Sequence, residues 1–154
     1  MNMNTKHIEM MKFALNEAEK ARKKGEVPIG AVLVADNIKV LATEHNQTIT
    51  LNDPTAHAEI LALRLAAEKI GNYRLLNTTL YVTVEPCPMC MGAAMHARVS
   101  QLVFGPRDPK WGAAGSLYNF AQDHRFNHEF EVVEGICEAD CKKLMQDFFR
   151  KKRT

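Results

Sequence analysis

The chain contains 154 residues, of which 46% are hydrophobic and 25% are charged. These proportions are typical of one soluble globular domain, and they exclude collagen-like, intrinsically disordered and disulfide-stapled proteins. The net charge of +2 is too small to indicate a nucleic-acid partner, but it is unevenly distributed. Residues 142–154 carry six basic side chains and one acidic side chain, a net charge of +5, which leaves −3 on residues 1–141. We therefore predict a single domain over residues 1–154 with a basic C-terminal end.

Neither a targeting segment nor a membrane span is recognisable. Lys and Glu side chains interrupt the apolar positions of residues 1–20, so this segment lacks the apolar centre of a signal peptide. The longest apolar run covers residues 29–35 and is too short to cross a bilayer. We therefore expect a cytoplasmic protein without membrane contact. Its four cysteines are then expected to be reduced thiols or metal ligands rather than disulfides.

Apolar periodicity and the flanking Gly, Pro and Asn residues divide the chain into helices and strands. In chain order, the predicted elements are a helix over 7–24, two hairpin strands over 29–35 and 38–43 joined by a turn at Asp36-Asn37, a helix over 56–70, a strand over 79–84, a turn and helix over 86–98, strands over 101–104 and 130–134, and a helix over 139–153. Strands separated by helices imply crossover connections that pack the helices against a sheet. The expected fold is a three-layer α/β/α sandwich with a mixed sheet of about five strands.

Two stretches with metal-binding chemistry each stand at a predicted helix start. His57 and Glu59 begin one helix, and Cys87 and Cys90 enter the next one after Pro86. One imidazole and two thiolates suit Zn²⁺, and three protein ligands leave a fourth tetrahedral position open, as in a catalytic site. Helix N-termini favour the thiolate forms of both cysteines. Because sites in open α/β sheets gather where strands end and helices begin, we predict a catalytic zinc site of His57, Cys87 and Cys90.

Glu59 is the predicted proton carrier of this site. Two residues along a helix correspond to about 200° of rotation, so His57 and Glu59 share no lateral face. Both side chains nevertheless reach a metal ion that lies above the first helical turn. Glu59 would then take a proton from a zinc-bound water molecule and deliver it to the substrate.

Each part of this pattern also has a simpler interpretation. A lone His-x-Glu is most often a surface pair, and a lone Cys-x-x-Cys is typical of a redox motif or of half a structural zinc site. In one alternative, Cys137 and Cys141 join Cys87 and Cys90 in a structural site of four thiolates. That alternative leaves the His-x-Glu and the Pro-flanked cysteines unrelated. We therefore expect Cys137 and Cys141 to be thiols of the hydrophobic core.

The combined pattern resembles a known family. His57-Ala58-Glu59 followed by Pro86-Cys87 and Cys90 is similar to the signature of the zinc-dependent nucleobase deaminases of the cytidine deaminase superfamily. Nearly the whole chain resembles the bacterial tRNA-specific adenosine deaminases, through residues 27–32, 45–46, 53–60, 72–75, 104–105, 112–116, 127–128 and 148–150, with Asp108 and Lys110. The resemblance implies a cytidine-deaminase-like α/β/α sandwich, a Zn²⁺ cofactor, a homodimer, and conversion of adenosine to inosine at the wobble position of a tRNA anticodon.

The same resemblance implies the mechanism and the contacts with the anticodon stem-loop. Zinc-bound hydroxide attacks C6 of an unstacked adenine, while Glu59 protonates the ring nitrogen and then the departing amine. Asn46 contacts the flipped nucleoside, unless it only caps its loop. The loop from Asp108 to Lys110 and the ring of Phe149 meet neighbouring nucleotides. Phe148 and Phe149 cannot both face the core of one helix, so one exposed ring is available for stacking on a base.

The basic residues 150–153 have two interpretations. They are either a solvated helix end that complements the helix dipole, or contacts to RNA phosphates whose strength falls as salt rises. Gln47, Pro106 and Trp111 depart from the family pattern in the region expected to meet RNA, and they leave the zinc chemistry untouched.

Two other functions use the same motifs. A deaminase of a free base or nucleoside, such as guanine or cytosine, needs the same metal site, although the basic C-terminus and the loop over 112–116 favour tRNA. A non-catalytic RNA-binding subunit that keeps the fold and the zinc has no need of Glu59, which argues against it.

Overall fold

The strands of the chain form one mixed sheet. The computed structural model describes residues 2–36 and 38–153, so Asn37 of the predicted hairpin turn lies outside the described residues. The five strands are β1 (Gly30–Ala35), β2 (Lys39–His45), β3 (Thr78–Val82), β4 (Gln101–Phe104) and β5 (Glu131–Val133), in the spatial order β2-β1-β3-β4-β5. Strand β1 is antiparallel to β2 and β3, whereas β3, β4 and β5 are parallel.

In the described part of the chain, four helices cover the two faces of this sheet. They are α1 (Met3–Lys23), α2 (Ala58–Ile70), α3 (Pro88–His96) and α4 (Glu138–Lys152), and a short 3-10 turn lies at Phe120–Gln122. Helices α2 and α3 pack on one face, and α1 and α4 pack on the other. The predicted three-layer α/β/α sandwich with five strands is therefore confirmed. None of the helices in the described part of the chain is long and apolar enough to span a membrane.

The interior strand β1, which lies between β2 and β3, is apolar on both of its faces. Ala31 and Leu33 belong to the core beneath α2 and α3, whereas Val32 and Val34 belong to the core beneath α1 and α4. Successive side chains of a strand point to opposite faces, so a strand covered on both faces becomes a continuous apolar run. This is why residues 29–35 form the longest apolar run of the sequence.

Strand direction places two helix starts at one edge of the sheet. Strands β2, β3 and β4 run in the same direction, so their carboxyl ends share an edge. Helix α2 follows β2 and helix α3 follows β3, so both begin at this edge. Gly71 ends α2 with a φ of 70°, a left-handed conformation that glycine adopts without a steric penalty.

Candidate metal centre and substrate cleft

The predicted ligands lie at the starts of two neighbouring helices. His57 is the N-cap of α2 and Cys87 is the N-cap of α3, and both have extended backbone. Pro88 occupies the first turn of α3, where a missing N–H costs no hydrogen bond. Cys90 lies in the same turn and is fully buried. Two helix N-termini therefore present one imidazole and two sulfur atoms to the same space.

The three ligand atoms have the spacing that a tetrahedral metal ion requires. His57 Nδ1 lies 3.6 Å from Cys87 Sγ and 3.5 Å from Cys90 Sγ. Ligands of tetrahedral zinc are separated by about 3.5 Å, given Zn–N and Zn–S bonds of about 2.0 and 2.3 Å. Within residues 2–36 and 38–153, this trio is the one group of three or more His, Cys, Asp or Glu ligands whose donor atoms all lie within 4.8 Å of one another. The donor set and its spacing are compatible with zinc.

Cys137 and Cys141 do not join this group. Cys141 is buried in the core between the sheet and the layer of α1 and α4, and Cys137 packs against the same core. The alternative structural site of four thiolates is therefore wrong, and the expectation of core thiols is confirmed. Burial raises the pKa of Cys141 to about 12, so this thiol is unreactive at neutral pH.

The two thiols of the trio differ in acidity. Hydrogen bonds from Cys90 and then from His57 lower the pKa of Cys87 to about 4. The pKa of Cys90 is raised, first because its thiol donates to Cys87 and then because of its burial. Both cysteines lie at the start of α3, so the hydrogen bond between them shifts their pKa values in opposite directions. Hydrogen bonding to Cys87 also raises the pKa of His57.

Glu59 is buried beside the trio, with a side chain that the protein leaves partly unpaired. The residue is 3% exposed, and its Oε1 has no hydrogen-bond partner among the residues that the structure describes. Burial raises the pKa of this carboxyl group. A buried oxygen that stays unpaired costs about 1–3 kcal/mol. Such an oxygen fits a site in which a substrate or a water molecule supplies the missing partner.

A cleft of about 1030 Å³ opens over these groups. His57, Glu59 and Cys87 line it, together with three of the residues that were predicted to contact the substrate: Asp108, Lys110 and Phe149. Asn46 is buried directly after β2, and its N–H donates to the carbonyl of Ile29, 3.0 Å away. Within the described residues, Ile29 is part of the cleft lining and Asn46 is not.

Pro106 and Trp111, which were expected to depart from the family pattern, lie in the same loop and line the cleft. Asp108 Oδ1 accepts hydrogen bonds from the N–H groups of Lys110 at 3.0 Å and Trp111 at 3.3 Å. The Asp108 carboxylate therefore closes a turn within its own loop. The side chains of Lys110 and Trp111 are exposed.

Helix α4 contributes one face to the cleft. The lining residues on α4 and its C-cap recur at spacings of three and four, as expected for one side of a helix: Lys142, Met145, Gln146, Phe149, Lys152 and Arg153. Phe149 is 42% exposed while Phe148 is 8% exposed, which agrees with the expectation of a single exposed ring. Lys143 and Arg150 instead form ion pairs with Asp147. The basic run 150–153 is thus divided between the cleft and a neighbouring face.

Sequence reasoning assigned no role to Glu85, although it precedes the ligand motif. Its carboxylate is buried and accepts hydrogen bonds from the loop that carries Asp108 and Trp111. Burial alone would raise the pKa of Glu85, but hydrogen bonds from Ser116, Asp108 and Ala114 hold it below its ordinary value. The available signal was a carboxylate three positions after the end of the buried strand β3. Such a group is rarely buried without several hydrogen-bond donors.

Known proteins resemble this chain over most of its length. The MafB19-like deaminase family matches residues 5–153. A tRNA-specific adenosine deaminase of Haemophilus influenzae is 51% identical over 94% of this chain and 83% of its own. A structure from a study of A-to-I editing by tRNA:A34 deaminases at the wobble position of transfer RNA is 44% identical, with a TM-score of 0.85, over 88% of this chain and 98% of its own.

A guanine deaminase structure from Bacillus subtilis is more distant. It is 32% identical, with a TM-score of 0.61, and the match covers 80% of this chain and 86% of that one. Both the sequence identity and the structural similarity are thus lower than for the tRNA:A34 deaminase structure. The chain therefore belongs to the MafB19-like deaminase family and to the family of the tRNA-specific adenosine deaminases.

Proposed function

We propose that this protein converts adenosine to inosine at the wobble position of a tRNA anticodon, with zinc held by His57, Cys87 and Cys90. The observation that carries the proposal is that these three ligands meet beside the buried carboxyl group of Glu59, in the wall of an open cleft. The cleft volume of about 1030 Å³ is sufficient for a nucleotide. The names of the relative from Haemophilus influenzae and of the tRNA:A34 deaminase support tRNA as the substrate.

The metal ligands define what the site offers to the reaction. One imidazole and two thiolates leave one position of a tetrahedral ion open, and two thiolates balance the charge of a divalent ion. Zinc, when bound, lowers the pKa of a water molecule so that it can act as a nucleophile at neutral pH. The neighbouring N-termini of α2 and α3 hold the ligands on rigid elements, which fixes where the reacting carbon must lie.

Glu59 is proposed to move the protons of the reaction. Its Oε1 is buried and free of protein hydrogen bonds among the described residues, so it is available to a substrate atom. Hydrolysis of the amine needs one proton on the ring nitrogen and another on the leaving nitrogen, which departs as ammonia. The adenine must leave its base stack before it can reach the buried carboxyl group of Glu59. An unpaired anticodon base does so at a modest free-energy cost.

Contacts with the rest of the anticodon loop are proposed for two walls of the cleft. On α4, the exposed ring of Phe149 supports stacking on a base. Lys142, Lys152 and Arg153 line the cleft, which supports contacts with phosphates. On the loop after β4, Lys110 and Trp111 present a cation and an exposed indole. A substrate contact of Asn46 remains a proposal from the resemblance, since Asn46 itself does not line the cleft.

The test is deamination of an anticodon stem-loop that carries adenosine at the wobble position. We expect inosine at that position, read as an adenosine-to-guanosine change when treated bulk tRNA is sequenced, and no turnover of free guanine or cytosine. Guanine is the second candidate, favoured by the 32% identical guanine deaminase of Bacillus subtilis. If the protein released ammonia from free guanine but left the adenosine of the stem-loop unchanged, that result would favour the guanine deaminase alternative.

The domain organisation, the oligomeric state and the location of the protein are also proposed from its resemblance to the tRNA-specific adenosine deaminases. We propose that residues 1–154 form one deaminase domain, which is supported by the two cores that the described helices share with the two faces of a single sheet. A homodimer and a cytoplasmic location are proposed with it. Sedimentation equilibrium of the purified protein tests the dimer, and a mass of one chain at micromolar concentration would contradict it.

A further inference from the structure

We propose that Glu85 is a positioning residue that fixes the loop over residues 106–116 as a wall of the cleft and thereby sets the affinity for RNA. The nature of the substrate in this inference rests on the proposed function. The role of Glu85 in holding the loop rests on the geometry alone.

The Glu85 carboxylate binds both ends of the loop. The residue is 1% exposed. Its Oε1 accepts the N–H of Asp108 at 2.9 Å and the hydroxyl of Ser116. Its Oε2 accepts the N–H groups of Ala114 at 2.9 Å and Ser116 at 3.0 Å. Four donors from the beginning and the end of the loop therefore converge on one buried side chain.

The backbone beside Glu85 holds the same loop. The N–H of Glu85 donates to the carbonyl of Pro106 at 3.0 Å, and the carbonyl of Pro86 accepts the N–H of Ala113 at 2.9 Å. Pro86 directly precedes the ligand Cys87. The loop is therefore attached to the segment that leads into the metal centre, and its position is defined relative to that centre.

Gly112 shows that the carboxylate occupies the interior of the loop. A Cβ atom at this position would lie 2.3 Å from Glu85 Cδ and 2.4 Å from each carboxylate oxygen. These distances are far below van der Waals contact, so any side chain at position 112 displaces either the carboxylate or the loop. The loop is thus closed around Glu85, with glycine where the two meet.

The outer side of the loop is the part that faces the cleft. Asp108, Lys110 and Trp111 line it, and the last two are exposed. His57 and Glu59 lie at the start of α2, so the element that holds them is not the segment to which the loop is attached. Releasing the loop therefore weakens substrate binding more than it slows the chemical step.

The first test is Glu85→Gln, with steady-state kinetics on an anticodon stem-loop. The amide replaces one acceptor oxygen by a donor that faces N–H groups, so we expect KM to rise about tenfold. We expect kcat to fall by less than about threefold and zinc content to stay unchanged. A fall in kcat at constant KM would overturn the proposal. If Glu85→Gln does not fold, Ser116→Ala removes one donor and should shift KM in the same direction by a smaller factor.

A matched control lies next to the same loop. Arg107 pairs with Glu134 at 3.0 Å on the exposed surface, and such pairs contribute little. Glu134→Gln makes the same change of charge as Glu85→Gln without touching the interior of the loop. We expect its KM to stay within about twofold of the wild-type value. An equal rise in both variants would assign the effect to charge alone and overturn the positioning role.

Two measurements test the loop without any substrate. Hydrogen exchange at the amides of Asp108, Ala114 and Ser116 should be faster in Glu85→Gln than in the wild type. Gly112→Ala should lower the Tm strongly in the wild type and less in a Glu85→Ala background, where the carboxylate no longer fills the loop. The proposal would be overturned if Gly112→Ala lowered the Tm equally in both backgrounds and if amide exchange in Glu85→Gln were as slow as in the wild type. If these results hold but the wild type does not deaminate the stem-loop, the proposed function fails and the role of Glu85 stands.

Discussion

His57 Nδ1 lies 3.5 Å from Cys90 Sγ, although 33 positions separate the two residues in the sequence. They meet because β2 and β3 end at the same edge of the sheet, where α2 and α3 begin. Neither helix alone carries a complete ligand set. The proposed metal centre therefore depends on the folded sheet, and metal binding should be coupled to the stability of the fold.

Removal of the metal should abolish activity and lower stability together. We expect about one zinc ion per chain by atomic emission, and loss of deamination on dialysis against a chelator, with recovery when zinc is added back. The Tm should fall on chelation, because a ligand that binds only the folded state stabilises it by mass action. His57→Ala should lose the zinc, whereas Cys137→Ser, outside the ligand group, should retain it. Full zinc content in His57→Ala would contradict the assignment.

Replacement of Glu59 should separate zinc binding from catalysis. A general acid–base group contributes about 10²–10⁴-fold, so single-turnover deamination by Glu59→Gln should fall by that factor, with zinc content near the wild-type value. Glu59→Ala should behave in the same way. Glu68→Gln, an exposed position on the same helix, is the control and should keep wild-type activity. Activity of Glu59→Gln within tenfold of the wild type would remove Glu59 from the mechanism.

The two faces of α4 should respond differently to charge removal. Lys152 and Arg153 line the cleft, whereas Lys143 and Arg150 pair with Asp147. Lys152→Gln with Arg153→Gln should weaken stem-loop binding. The slope of log K against log salt should become shallower by about 1.4–1.8, since each lost phosphate contact is worth about 0.7–0.9. Lys143→Gln with Arg150→Gln removes the same charge from the same helix and should change the slope little. If both double variants weakened stem-loop binding equally, α4 would act through its total charge and not through the face that lines the cleft.

Deletion of residues 150–154 distinguishes the two interpretations of the basic C-terminal end, a solvated helix end or a set of phosphate contacts. We expect weaker tRNA binding with zinc content unchanged, because the metal ligands lie on α2 and α3. Unchanged tRNA affinity at moderate salt would contradict phosphate contact by this segment.

The sequence predicted those parts of the molecule that depend on local pattern or on metal chemistry. Strand β4 has the predicted bounds 101–104, and the trio of ligands follows from residue type and spacing. Helix α1 begins four residues earlier than predicted, because Asn2 caps it by accepting the N–H of Thr5. The place of β1 between β2 and β3 depends on long-range packing, which no local pattern specifies.

The residues of the candidate site are also divided into those that a local sequence pattern predicts and those that depend on the folded structure. Phe149 was predictable because helix geometry forces one of two adjacent rings outward. The separation of Arg150 from Lys152 depends on which side of α4 faces the sheet, and the basic run alone carries no such information. Glu85 was missed because its partners are mainly backbone N–H groups of a distant loop, and backbone groups leave no signature in the sequence.

The second buried carboxylate that holds a loop, Glu26, should give a pH-dependent contribution to stability. It is fully buried and accepts the N–H groups of Ile49 at 3.2 Å and Thr50 at 2.7 Å, and the hydroxyl of Thr50 at 2.7 Å. Burial acts to raise its pKa, but these hydrogen bonds outweigh burial and hold the pKa below the ordinary value of 4.5. A depressed pKa in the folded state means that the ionised form stabilises the fold. That stabilisation is present above the unfolded-state pKa and is lost as the pH falls through the folded-state pKa.

Glu26→Gln tests this contribution by thermal unfolding at several pH values. The Tm difference between wild type and variant should be largest near about pH 7 and should shrink as the pH falls below the ordinary carboxyl pKa, where the wild-type side chain also becomes neutral. Glu68→Gln, at an exposed position, should show no such trend. The variant cannot ionise at position 26, so a Tm difference that stayed constant from about pH 7 to about pH 3 would mean that Glu26 holds its loop without using its charge.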